Sequence, residues 1–169
     1  MHYIKVGAKH YEIEYQVKDQ SCTAACAVMA LKMTSGGSRS LSQSDFLTQT
    51  SQYRGPGEYD KFGASEEHIV SVLQKWKVKA TSHKMSEFNN LISAAGESSP
   101  LLLGMSWKTG SRHMIVTPGL NEDGDSWVAL DPWFGGSAQR HSTNNKGVLY
   151  EVLHGGKAWI DSIIFAQPF

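Results

Sequence analysis

The sequence lacks the features that would place it in several large classes. Cysteine is scarce, with two in 169 residues, Cys22 and Cys26. Two cysteines cannot staple a small secreted scaffold. Their spacing puts them one turn apart on a helix, where a bridge would close almost no chain. Free thiols are therefore expected, which fits a reducing site of action. Net charge is also absent, since 16 basic residues balance 16 acidic ones. That removes the electrostatic case for nucleic acid or an anionic membrane as a partner. No apolar run is long enough to span a bilayer. The first residues, Met1 to Glu14, mix His, Lys and Glu with single apolar residues and do not read as a signal peptide. There is no internal repeat and no low-complexity tract.

What is present describes a globular chain. Hydrophobic residues make up 40% and charged residues 19%, outside the range of disordered sequences. The length predicts one domain over 1–169, burying about two-thirds of its unfolded surface.

The front half reads as helical and the back half as sheet. Tyr3 to Val17 alternates loosely and predicts one or two short strands. Ser21 precedes Cys22 to Met33, a run of Ala, Val, Met and Leu that predicts a helix with Ser21 as its cap. Ser35-Gly36-Gly37-Ser38 ends it. Ser42 to Thr50 predicts a second helix, with Ser42 and Asp45 spaced as a capping box. Arg54 to Gly63, with three glycines and a proline, predicts an exposed loop. Ser65 caps a third helix whose apolar face is Ile69, Val70, Leu73 and Trp76, and Ser86 caps a fourth over Glu87 to Ala95. Strands are predicted at Val78 to Ser82, Leu101 to Trp107, His113 to Pro118, Trp127 to Asp131, Val148 to Val152 and Trp159 to Phe165. Asn121 to Asp125 is a turn that makes the His113 and Asp131 strands a hairpin. This is an α+β layout, with an N-terminal helical half packed on a C-terminal antiparallel sheet.

One constellation carries chemistry. The amides and dipole of a helix N-terminus favour a thiolate, and Cys22 falls there, directly after Ser21. A nearby imidazole completes such a nucleophile, and a third group must orient the imidazole. His113 opens one strand and Asp131 closes the next. Pro132 stops that strand because it has no N–H for the ladder. The hairpin therefore sets His113 and Asp131 side by side.

The segment from Gln16 to Met29 resembles the nucleophile region of papain-like cysteine peptidases. Two branches are most similar: the double-glycine peptidases of bacteriocin exporters, and bacterial papain-like effectors injected into other cells. In both, a glutamine stands six residues before the nucleophile, as Gln16 stands before Cys22. The resemblance implies an oxyanion hole built from the Gln16 side-chain amide and the Cys22 backbone N–H. It also implies His113 and Asp131 as the second and third members, and it covers about residues 14 to 135. Gln20 stands six residues before Cys26, so the same spacing could name Cys26. That thiol lies a full turn inside the helix and reads instead as a buried core cysteine. Two positions depart from the pattern: Thr23 follows the nucleophile, and Arg112 precedes the histidine where glycine is common. Arg112 reads as a substrate contact or, with more weight, as a residue pointing to solvent.

The resemblance implies a cysteine protease acting on a protein substrate. It suggests an effector or toxin secreted by a specialised system without a cleaved signal peptide and acting in the cytoplasm of a target cell; otherwise the enzyme is cytoplasmic. A cognate immunity protein would accompany a bacterial target. Two alternatives stand beside it, a Cys-dependent acyl-transfer enzyme (deamidase or transglutaminase-like) and an inactive binding module on a peptidase fold. The mechanism requires no cofactor. No metal site is read, because His2, His10, His68, His83, His141 and His154 show no zinc-type spacing. Trp107, Trp127, Trp133 and Trp159 read as core or cleft residues, and Trp133 could shield the His113–Asp131 bond from water.

Overall fold

A computed structural model describes residues 2–6, 8–17, 21–50, 65–107, 112–122, 124, 126–133, 139–142, 149–151 and 157–169. Along the chain come β1 (His2–Val6), β2 (Lys9–Ile13), α1 (Cys22–Thr34), α2 (Gln43–Thr50) and α3 (Glu66–Lys75). Then follow β3 (Val78–His83), a 3₁₀ turn (Met85–Glu87) leading into α4 (Phe88–Ala94), β4 (Leu101–Trp107), β5 (Arg112–Thr117) and β6 (Ser126–Ala129). The chain closes with β7 (Gln139–Ser142), β8 (Leu149–Glu151) and β9 (Lys157–Pro168). The class is the expected α+β, helices first and antiparallel sheet after. The loop expected over residues 54–63 lies outside the described residues, as do parts of the turn at 121–125 and the ends of the strand expected over 148–152.

Helix α1 is the hub. Ala24, Ala25, Ala27 and Ala30 are strong helix formers and let neighbours approach closely. Every residue from Cys22 to Leu31 is buried, so the helix is enclosed on all sides rather than amphipathic. It ends where Gly36 and Gly37 take positive φ, and the Gly37 N–H donates to the Lys32 carbonyl at 2.8 Å. One side of α1 meets Phe46 of α2 and Ile69, Val72 and Leu73 of α3. The other side meets Leu102, Met114, Val116 and Ile164 on the sheet. The opposite face of the sheet, with Leu101, Leu103, Ile115 and Ile163, is covered by Phe88, Leu91 and Ile92 of α4 and by Trp127. This two-sided burial follows from the alternation of side chains along β4.

Three expectations need correction or refinement. The fourth helix is not capped by Ser86. The chain first makes a 3₁₀ turn, and the Glu87 carboxylate accepts from the Lys84 N–H at 3.2 Å, so the α-helix starts at Phe88. The hairpin that joins β5 to β6 forms, but not as one regular ladder. Its arms are joined by the bridges Val116–Leu130 and Leu120–Trp127 and by the Val128 N–H, which donates to the Gly119 carbonyl at 3.0 Å, and the Asn121 N–H closes the turn on the Ser126 carbonyl at 2.7 Å. The register slips by one residue around Pro118 and Gly119, at φ +110, and β6 pairs on its other side with β7. Finally, the C-terminal strand is longer than its apolar stretch and sits inside the main sheet, whose order is β3-β9-β4-β5 with β8 also on β9.

Candidate active site

Cys22 is the first residue of α1, and Ser21 holds the cap position. The Ser21 hydroxyl makes no capping bond, contrary to expectation. Its backbone carbonyl starts the helix by accepting from the Ala25 N–H at 3.0 Å. Cys22 therefore lies where a helix leaves amides without intrahelical acceptors.

His113 is the second residue of β5, and Asp131 follows the bridge residue Leu130. Two backbone bonds fix the register there, Val116 N–H to Leu130 at 3.1 Å and Leu130 N–H to Val116 at 2.8 Å. That register places Asp131 diagonally across from His113 on one face. The His113 Nε2 and Asp131 Oδ1 are 2.7 Å apart. The same carboxylate oxygen accepts from the Trp133 backbone N–H at 2.9 Å. Pro132 has no N–H to offer, so the chain turns and the next amide returns to Asp131. Trp133 thus contributes a backbone donor to the site, a role its aromatic ring does not advertise in sequence.

Asp131 is 3% exposed, and the His113 side chain is almost as buried. Burial works against a charged imidazole. Hydrogen bonds to Asp131 and Cys22, and the charges on both, outweigh it and push His113 up to about 9. The ring is held between two partners. With Nε2 committed to Asp131, Nδ1 is the nitrogen left for the thiol. Such an arrangement can keep the imidazole protonated at neutral pH, ready to give a proton to a leaving group.

Both thiols are free, but their surroundings differ. Cys26 is fully buried and donates to the Met114 carbonyl oxygen at 3.3 Å. Burial, together with the nearby Cys22 and Asp131, pushes its thiol well above the usual range. Gln20, the glutamine of the alternative spacing, lies outside the described residues.

Gln16 is brought to the same neighbourhood. Its backbone N–H donates to the Pro132 carbonyl at 3.1 Å, next to Asp131. The segment around it is also gripped by Gln43 of α2, whose amide bonds to Glu14, Tyr15 and Val17. The sequence gives no sign of this, because a glutamine after a helix cap has no motif. Arg112 does not simply point to solvent. Its guanidinium makes a two-pronged pair with Asp161, at 2.7 and 2.8 Å, and donates to the Ser106 hydroxyl at 2.9 Å. Asp161 reaches it because β9 has a register shift opposite Gly104 and Met105. Trp127 is a core residue, whereas Trp159 is half exposed.

A cleft of about 320 Å³ lies elsewhere, lined by Ile13, Glu14, Met29, Lys32 and Met33 among others. Lys32 is ten residues along α1 from Cys22, roughly 15 Å at the helical rise, so this cleft is at the far end of the helix.

The family model described as papain-like cysteine protease AvrRpt2 matches residues 6–146, an interval that contains Gln16, Cys22, His113 and Asp131. The chain is a papain-like cysteine protease of the AvrRpt2 family. Its fold is similar to the peptidase domain of Streptococcus ComA, a bi-functional ABC transporter involved in quorum sensing. The TM-score is 0.65 at 18% identity, over 95% of this chain and 100% of that one. It is also similar to a double glycine motif protease from an AMS/PCAT transporter, solved in complex with its leader peptide. There the TM-score is 0.56 at 13% identity, over 94% of this chain and 91% of the other. No curated protein sequence matches the chain. At these identities the transporter domains establish a shared papain-like fold. The family match makes this protein a thiol protease, and both branches read from the motif are represented.

Proposed function

We propose that this papain-like protease cleaves peptide bonds in a protein substrate with Cys22 as nucleophile, His113 as proton carrier and Asp131 as the group that orients the imidazole. The observation that carries the reading is one imidazole bound on one side to Asp131 at 2.7 Å and on the other to Cys22. In this scheme the Cys22 sulfur adds to the scissile carbonyl carbon. The oxyanion is received by the Cys22 backbone N–H and the Gln16 side-chain amide. The tetrahedral adduct collapses, the C–N bond breaks, and the His113 proton goes to the leaving nitrogen. Neutral His113 then takes a proton from water, which attacks the thioester, releases the new carboxyl end and restores the thiol.

The same reading makes the chain a bacterial effector or toxin that acts in the cytoplasm of a target cell. Its support is the matching AvrRpt2 family and a pair of free thiols, which a reducing compartment preserves. A bacterial target would require an immunity protein in the producer. A protein substrate is favoured by the double glycine relative, which holds a leader peptide.

The test is to express the wild type and Cys22→Ala in candidate recipient cells and to profile new protein N-termini. New N-termini should appear with the wild type only. Equal fragment patterns or equal toxicity from Cys22→Ala would overturn the proposal. A one-dalton or adduct shift on intact substrates, without fragments, would assign acyl transfer to the same trio instead.

A further inference from the structure

Gln16 sits on a short irregular segment between β2 and α1, a poor place to hold a catalytic amide in a fixed direction. An oxyanion donor is useful only when it is aimed before the charge appears. Something must therefore fix this segment. Gln43, the first residue of α2, is 4% exposed, unusual burial for a glutamine. Its side-chain oxygen accepts from the Val17 N–H at 3.1 Å. Its side-chain nitrogen donates to the Tyr15 carbonyl at 2.6 Å and to the Glu14 carboxylate at 3.0 Å. Val17 and Tyr15 are the two chain neighbours of Gln16. One carboxamide thus clasps the backbone on both sides of the residue, as a neighbouring strand would.

The clasp has an anchor at each end. The Gln16 N–H is bonded to the Pro132 carbonyl at 3.1 Å, on the chain that carries Asp131. Glu14 lies 3.9 Å from the Lys32 ammonium, which also holds Glu12 at 2.9 Å on the body of α1. The segment is tied to α1, which carries the thiol, to α2, and to the turn that carries Asp131. A two-pronged amide bond of this kind fixes position and rotation together, which one hydrogen bond does not.

We propose that Gln43 is a positioning residue for the reaction, aiming the Gln16 amide at the oxyanion by clasping Tyr15 and Val17. The proposal rests on the reading of Gln16 as an oxyanion donor. Gln43 touches neither the thiol nor the substrate and acts through Gln16. Its loss should therefore lower kcat and leave alkylation of the thiol unchanged, since displacement on an alkyl halide passes through no oxyanion.

The experiment compares wild type, Gln43→Met, Gln16→Ala and the double variant. Each is assayed on a fluorogenic peptide spanning one of the new N-termini found with the Cys22 pair, and by the rate of iodoacetamide labelling at Cys22. Removal of an oxyanion donor costs on the order of 10²–10³ in kcat, and Gln16→Ala should fall in that range. Gln43→Met should lose at least about tenfold in kcat with little change in KM, and label at the wild-type rate. In the Gln16→Ala background the second substitution should cost less than about twofold further, because its route is already gone. Wild-type kcat in Gln43→Met, with Gln16→Ala impaired, would overturn the inference alone. So would equal losses from Gln43→Met with and without Gln16. Full kcat in Gln16→Ala would overturn the oxyanion reading itself. If Gln43→Met labels slowly or melts early, Gln43→Asn replaces it, being shorter by one methylene, and is read in the same way.

Discussion

The Cys26 thiol donates to the carbonyl oxygen of Met114 at 3.3 Å, one helical turn below Cys22 and one residue beyond His113. Cys22 meets the neighbouring His113 side chain on the same strand. The helix that carries Cys22 is thereby fastened to the strand that carries His113. Cys26→Ala should lower stability by about 1 kcal/mol through lost volume and a lost hydrogen bond, or roughly 2–4 °C in Tm for a domain of this size. One reactive thiol should remain. A thermal melt with mass spectrometry of an iodoacetamide digest checks both, and loss of labelling in Cys26→Ala would show that the nucleophile had been misassigned.

The His113–Asp131 pair predicts the alkaline limb of activity. Because Asp131 and Cys22 push His113 up to about 9, kcat/KM should fall as pH rises through about 9. Asp131→Asn removes the carboxylate, leaves burial acting on the ring, and should move this limb to lower pH. The loss of kcat should be on the order of 10²-fold or more. The same shift bears on stability. A histidine whose folded value lies above the usual 6.5 stabilises the fold fully below pH 6.5, and that contribution disappears as pH rises through about 9. Melting curves from pH 6 to 10 should show the decline in wild type and a flatter profile in Asp131→Asn.

Arg112 and Asp161 predict a smaller, salt-sensitive effect. Burial alone would raise the Asp161 carboxyl, but hydrogen bonds from Arg112 and Ser106 bring it below its ordinary value. The pair is roughly half exposed, so water screens it and Asp161→Asn should cost no more than about 1 kcal/mol. The cost should shrink as salt is raised. Denaturant midpoints at low and high salt measure it. A loss above about 3 kcal/mol would mean that the pair behaves as a buried one.

Ile164 in β9 is fully buried on the α1 side of the sheet, among residues of the first core. Ile164→Ala should cost about 2–5 kcal/mol. Chemical denaturation gives the value directly. A cost below 1 kcal/mol would show that the sheet end relaxes around the cavity.

Local chemistry made much of this molecule legible in advance. The alanine run after Ser21 marked α1, the Ser65 cap marked α3, and Asp131-Pro132 marked where a strand must stop. Gln16, Cys22, His113 and Asp131, each in a short motif in a fixed order, are brought into one neighbourhood. What stayed hidden depends on long-range pairing. Gln43 is buried by residues 26 to 29 positions earlier, which no local pattern records. The β6–β7 pairing sets Trp127 against His141, a partnership that no local pattern near either residue records. Arg112 looked like an isolated surface cation because Asp161 lies 49 positions away.

The place of β9 between β3 and β4 affects how the enzyme comes into being. A ribosome delivers β3, β4 and β5 first, with the berth between β3 and β4 still vacant. At that moment the nascent chain already contains Gln16, Cys22, His113 and Asp131, yet it lacks the middle of the sheet on which α1 and β5 are aligned. Only when residues 157–168 leave the exit tunnel can the sheet close. The order of synthesis thus makes completion of the main sheet a late event, since its inner strand β9 is the last of the elements to be made.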